Sequence, residues 1–177
     1  MKRSILGLVL FILGVSLLGC SSEGDAEEQV TYEGPRLKIA VYGEMPAYKF
    51  ERIQFVQVDR EYLFKKGEDA NYDALFVMNN VHEEADTPEF APVFKSLPYP
   101  VFFIDTYAEA YVFLHPNTGL GWVDDPGYNL FFATGSFKDE NGTTFNRSIT
   151  YQHPREEDQD YESLYVQLFK AINSMIH

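Results

Sequence analysis

From Leu37 onward, short apolar runs alternate with polar stretches, and each run has the length of a strand. Leu37-Lys38-Ile39-Ala40-Val41-Tyr42 is the first, Ile53-Gln54-Phe55-Val56-Gln57-Val58 the second, Ala74-Leu75-Phe76-Val77-Met78 the third and Val101-Phe102-Phe103-Ile104 the fourth. The third and fourth do not alternate, which is how strands buried on both faces read. Helices are expected after the second and third runs. One follows Asp59 and ends near Gly67. The other begins at Asp86-Thr87-Pro88-Glu89, which supplies an N-cap candidate, a proline at or near the first turn and an acid where the helix dipole favours it, and runs to about Leu97, where Pro98 and Pro100 break it. The link between the first two runs contains Pro46 and has room for little more than a turn of helix. Strands alternating with helices imply parallel pairing and right-handed crossovers, hence an α/β fold with a mostly parallel central sheet flanked by helices.

After Asp105 the texture changes. Ala110–Leu114, Tyr128–Phe132 and Thr144–Tyr151 read as strands, separated by the turn signals Pro116-Asn117-Thr118-Gly119, Asp125-Pro126-Gly127 and Asn141-Gly142. That spacing suits antiparallel edge strands in the C-terminal half. Thr134-Gly135-Ser136-Phe137 has a serine beside a glycine but no nucleophile-elbow pattern, and reads as a loop. The chain closes with an amphipathic helix, since Tyr161, Leu164, Tyr165, Leu168, Ile172, Met175 and Ile176 recur at spacings of three and four. No repeat and no second boundary interrupt residues 36–177, which are expected to form one domain.

The N-terminus follows a different logic. Lys2 and Arg3 precede an apolar run from Ile5 to Leu18 that ends at Gly19 and Cys20, the only cysteine in 177 residues. A spanning helix needs roughly 20 apolar residues, so this run is short for a membrane span and long enough for the centre of a signal peptide. Leu17-Leu18-Gly19-Cys20 resembles the lipobox of bacterial lipoprotein precursors. The resemblance covers only the first twenty or so residues. It implies that residues 1–19 are cleaved, that Cys20 is acylated, and that the mature chain is held by lipid at the extracytoplasmic face of a bacterial membrane. Acyl chains contribute about 0.8 kcal/mol per buried methylene, so two or three of them anchor stably.

Composition refines this picture. With Cys20 acylated no thiol remains, which excludes a disulfide, a thiolate metal site and a cysteine nucleophile. Beyond Cys20 twelve basic residues face 27 acidic ones, a formal charge of −15. Such a chain repels phosphate backbones and anionic headgroups, and no nucleic-acid partner is expected. Residues 21–35 are small, acidic and aperiodic, and read with Cys20 as a flexible tether.

Familiar catalytic motifs are missing: the chain has no G-x-G-x-x-G after the first strand, no G-x-x-x-x-G-K and no H-E-x-x-H. Candidate chemistry follows from topology instead. If the early strands are parallel, the residues past their carboxyl ends meet along one edge, where open α/β sheets bind ligands. These are Gly43-Glu44, Asp59, Asn79-Asn80 with His82, and Asp105-Thr106. Carboxylates beside an imidazole suit a divalent cation, with His82, Asp59 and Asp105 as candidate ligands, or the hydroxyl and amine groups of a small solute. The same residue types cap helices, and Asp59 stands where a cap is needed. Trp122, the only tryptophan, lies among acids and tyrosines and is a further candidate for stacking on a sugar ring or a cation.

The expectation is a monomeric, lipid-anchored binding or accessory module of the cell envelope, without chemistry of its own or a resident cofactor. Its partners would be an envelope or membrane protein, or a small solute. Two alternatives stay open: an envelope metal-assisted hydrolase using Glu44, Asp59, His82 and Asp105, and a structural envelope lipoprotein.

Overall fold

The four apolar runs pair into one sheet. The computed structural model describes residues 31–66, 71–115, 131–139, 141–150 and 160–177. In chain order its elements are β1 (Leu37–Tyr42), β2 (Ile53–Val58), α1 (Arg60–Lys66), β3 (Ala74–Val77), a 3-10 turn (Asn79–Val81) running into α2 (His82–Ala85), α3 (Phe90–Ser96), β4 (Val101–Thr106), α4 (Ala110–Leu114), β5 (Phe131–Lys138), β6 (Thr144–Thr150) and α5 (Tyr161–Ile176). The six-stranded sheet has the order β2-β1-β3-β4-β5-β6. Strands β1 to β4 are parallel, and β5 and β6 add antiparallel at one edge, so the α/β architecture read from the pattern is the one the chain adopts.

The strand order reverses between β1 and β3. The chain leaves β1 to one side to make β2, then returns past it to make β3. Connections of one hand that run in opposite directions must cross opposite faces of the sheet. The packing agrees: Tyr48 and Phe50 of the β1–β2 link lie on the face covered by α5, and Leu63 of α1, Ala85 of α2 and Phe90 and Phe94 of α3 lie on the other. The central strands feed both cores by alternation, with Ile39, Phe76 and Phe102 pointing to the α5 face and Ala40, Leu75 and Phe103 to the opposite one. Each fully buried Leu or Phe is worth about 1.5–3 kcal/mol, which is why these strands read as unbroken apolar runs.

Three sequence expectations are corrected. Ala110–Leu114 is the helix α4 and not a strand. Five apolar residues carry too little periodicity to separate the two states, and tertiary contacts decide. The Phe113 ring stacks on Phe103 at 3.9 Å and 9°, and the hydroxyl of Thr134 on β5 accepts the Ala110 N–H at 3.1 Å, satisfying a donor that the helix itself leaves open. Thr134-Gly135-Ser136-Phe137 belongs to β5 and is not a loop. Gly135 fits there because any Cβ would strike the Phe102 ring, a close approach that glycine alone permits. Asp86 does not open α3. It closes α2, donating its N–H to the His82 carbonyl at 2.8 Å, and α3 begins after Glu89, beyond Pro88.

The readings of Asp59 as a helix cap and of Asn141-Gly142 as a turn agree with the structure. Asp59 caps α1 by accepting the Tyr62 N–H at 2.7 Å, and the Asn141-Gly142 turn joins β5 to β6, with Gly142 at φ 81°. Asp160 caps α5 through the Ser163 N–H at 3.0 Å. Tyr32, inside the stretch read as tether, is buried edge-on against Phe169 of α5 at 5.6 Å. Cys20, the apolar run before it, Trp122, Tyr128 and Tyr151 lie outside the described residues.

Candidate functional site

Each central strand ends in a residue that turns the chain, and those turns assemble one cleft. After β1, Gly43 has φ +110°, a conformation that residues with a Cβ rarely adopt. A Cβ there would stand 2.6 Å from Asn80 Oδ1 and 2.8 Å from Met78 Cβ, so β1 and β3 approach this closely only with glycine between them. Asn80 Oδ1 accepts the Glu44 N–H at 3.0 Å, and the Gln57 side-chain amide donates to the Gly43 carbonyl. The loop that starts the β1–β2 link is thus held from both neighbouring strands.

After β3, Asn79 donates its side-chain amide to Asp105 Oδ2 at 2.7 Å, joining the ends of β3 and β4. Asp105 has φ 56°, the only described residue other than glycine at positive φ. Asp and Asn tolerate the left-handed region better than most residues, at a cost of about 1–2 kcal/mol. Such a cost persists only where surrounding contacts fix the conformation, and it is concentrated at functional sites.

Between these turns lies a cleft of about 300 Å³. Its polar side is made by Glu44, Asn79 and Asp105. Its apolar side comes from Tyr48 on the β1–β2 link, Phe132 on β5 and Tyr161 and Tyr165 on α5. Tyr48 and Tyr161 lie nearly parallel with centroids 6.2 Å apart, and Phe132 meets Tyr165 edge-on at 4.9 Å. Burial, and then the neighbouring Tyr48, Asp105 and Tyr161, push the Tyr165 phenol well above its ordinary range, so it stays protonated at neutral pH. The cleft stands outside the carboxyl ends of the strands where their order reverses, the place where α/β sheets bind ligands.

The sequence candidates divide accordingly. Glu44, Asn79 and Asp105 meet in the cleft. Asn80 stands behind it as the prop of the Glu44 backbone, Asp59 is at the start of α1, and Thr106 turns the chain after β4 by accepting the Ala108 N–H at 3.0 Å. His82 faces the opposite core. It is 7% exposed, packed against Phe103 and Phe113, with Nε2 3.1 Å from the Val77 carbonyl. A carbonyl only accepts, so Nε2 carries the proton. Burial lowers the His82 pKa, and the hydrogen bond to Val77 and the charge of Asp105 offset this in part. Among the described residues, no three His, Cys, Asp or Glu side chains gather as a metal ion would need.

Four aromatic walls of the cleft escaped sequence reasoning. Tyr161 and Tyr165 were legible as helix-face residues without a destination, and Tyr48 and Phe132 carried no motif. The signal that finds them is the strand order: the link leaving β1 at a switch point must pass over the face that the last helix covers. The chain matches no protein-family model, no curated protein and no solved structure.

Proposed function

We propose that the chain is a lipid-anchored binding module of the bacterial cell envelope, held at the extracytoplasmic face by acyl chains on Cys20, and that its domain takes up a small solute in the cleft between Glu44, Asn79, Asp105 and the aromatic wall. The observation that carries this reading is the cleft itself. It lies at the switch point, combines a few convergent polar groups with a mostly apolar lining, and has the volume of a site for a small molecule. The anchor rests on the order of charge, apolar run, small residue and cysteine in the first twenty residues. A hydrolase using Glu44, Asp59, His82 and Asp105 needs these side chains to converge, whereas Asp59 caps α1 and His82 is packed in the opposite core.

Two measurements test the proposal. Radiolabelled palmitate supplied to cells expressing the full chain should label the protein, and Cys20→Ser should abolish both label and membrane retention. A thermal-shift panel of amines, sugars, amino acids and divalent cations should contain at least one compound that raises the melting midpoint. A site-bound ligand at a hundredfold excess over Kd stabilises by about 2.7 kcal/mol. A labelled chain that responds to no solute would leave the anchor standing and remove the solute site.

A further inference from the structure

A second cleft opens at the other end of the sheet, where β4 begins and β5 ends. Its floor follows from strand register. Thr134 on β5 faces α4, to which its hydroxyl is bonded, so by alternation Ser136 and Lys138 lie on that same face. Val101 pairs with Ser136 and Thr144 with Lys138, and paired residues share a face, which brings three strands into one surface. The walls are the last turn of α3, with Phe94 and Lys95, then Leu97 and Tyr99 in the link that follows, and the end of α4 at Leu114 and His115. The space between them is about 280 Å³, and it shares no lining residue with the strand-end cleft.

The lining passes from apolar to cationic. Phe94, Leu97, Tyr99, Val101 and Leu114 are buried and make the inner part. Ser136 is half-buried, and Lys95, Lys138 and Thr144 are exposed at the mouth. His115 directs Nδ1–H to the Tyr111 carbonyl at 2.7 Å, so the fixed positive charge comes from the two lysines. Among the described residues neither lysine enters a salt bridge. Asp139, the acid beside Lys138 in sequence, turns its carboxylate into the β5–β6 turn, where it accepts the Thr143 N–H at 2.7 Å.

These features select an amphiphile of one sign. Ammonium groups hold a carboxylate through charge-assisted hydrogen bonds, and the Ser136 and Thr144 hydroxyls can donate to the same oxygens. Apolar surface covered in the inner part adds about 25 cal/mol per Å². An inorganic anion would use the mouth alone, an alcohol would use mainly the inner part, and an alkylammonium would meet two like charges. An anion with a short apolar body uses both. The chain as a whole is acidic, but that field is screened beyond about 8 Å at physiological ionic strength, whereas the lysines act at contact.

We infer that this second cleft binds an amphiphilic carboxylate, its head group held at the mouth by Lys95 and Lys138 and its acyl or aryl body lying against Phe94, Leu97 and Val101.

The test is calorimetric titration of the full chain in a polyoxyethylene detergent, with a blank titration into detergent alone. The probes are hexanoate, benzoate, n-hexylammonium and 1-hexanol. At least one carboxylate should bind saturably, hexanol more weakly, and hexylammonium not at all. Lys95→Gln and Lys138→Gln each remove one charge from an exposed side chain and should leave the melting midpoint unchanged. Each should weaken carboxylate binding about threefold, and the double variant about tenfold. Ser136→Leu places a larger side chain on the floor and should abolish binding of every probe. Preference for hexanoate identifies an acyl ligand and preference for benzoate an aromatic acid, and both support the site. Hexylammonium or hexanol binding as tightly as the carboxylates would overturn the anion. So would carboxylate affinity that is unchanged in the double lysine variant. Silence from both carboxylates would remove this second site. None of these outcomes bears on the strand-end cleft, which neither lysine lines.

Discussion

The Asn79 side-chain amide and the Asp105 carboxylate meet at 2.7 Å across the ends of β3 and β4. One residue follows a strand that is buried throughout, and the other holds a left-handed kink at φ 56° one residue before the end of the next strand. Their bond ties a strained backbone position to the floor of the cleft.

Substitutions at this pair should therefore separate into three ranks. Asp105→Asn should leave stability within about 0.5 kcal/mol, because Asn tolerates the left-handed region and still accepts the Asn79 hydrogen bond. Asn79→Ala removes one partly exposed hydrogen bond and should cost about 1 kcal/mol. Asp105→Ala removes the bond and places alanine at positive φ, for a loss of about 2 kcal/mol or more. Urea unfolding of the three variants checks the order, and a larger loss in Asp105→Asn than in Asp105→Ala would contradict it.

Gly43→Ala should be among the most damaging changes to the cleft. It combines φ +110° with a Cβ placed 2.6 Å from Asn80 Oδ1, so either the backbone or the Asn80 side chain must move. The expected loss of stability is about 1–3 kcal/mol, accompanied by loss of the proposed solute binding as the Glu44 segment shifts. Amide chemical shifts of Glu44 and Asn80 would register that displacement directly.

His82 makes stability depend on pH in a definite direction. Its folded pKa lies below the unfolded value of about 6.5, chiefly because the ring is buried. As pH falls below the unfolded value, the unfolded chain takes up a proton that the folded chain resists, so the contribution is complete above pH 6.5 and declines as the pH drops toward the lowered folded value. Melting midpoints should fall between pH 7.5 and 5.5, and His82→Phe should flatten that part of the curve. An equally steep fall in the variant would assign the dependence to other groups.

Phe103 and Phe113 stack at 3.9 Å in the core beneath α4, and Phe113 is the largest of the four side chains that the short helix buries. Phe113→Ala should cost about 3–5 kcal/mol. A double-mutant cycle with Phe103→Leu should show a coupling of about 0.5–1.5 kcal/mol, the part that belongs to the ring pair and not to burial alone.

The main architecture was readable because its causes are local to the sequence. Runs such as Ala74–Val77 and Val101–Ile104 show no alternation because both of their faces are covered, and the stripe from Tyr161 to Ile176 repeats at helical spacing because one face of α5 packs on the sheet. What could not be read depended on contacts between distant segments. Ala110–Leu114 became a helix through contacts with Phe103 on the strand before it and with Thr134, 24 residues from Ala110 on β5. His82 follows β3 and Asp105 stands one residue before the end of β4, yet the short turn at Asn79–Val81 carries His82 to the far core while Asp105 stays at the cleft. Strand-end position identified the edge of the sheet on which the site lies, and the direction of each turn decided which side chains face it.

The cleft also draws its walls from opposite ends of the fold, with Glu44 and Tyr48 following the first strand and Tyr161 and Tyr165 on the final helix. Contacts of such long sequence separation carry a large loop-closure cost. The site is therefore incomplete in any partly folded form that lacks a docked α5. A bound solute would act as a clasp between the earliest and latest elements, and hydrogen exchange in α5 should slow on binding more than exchange in β3 or β4, whose amides are already protected.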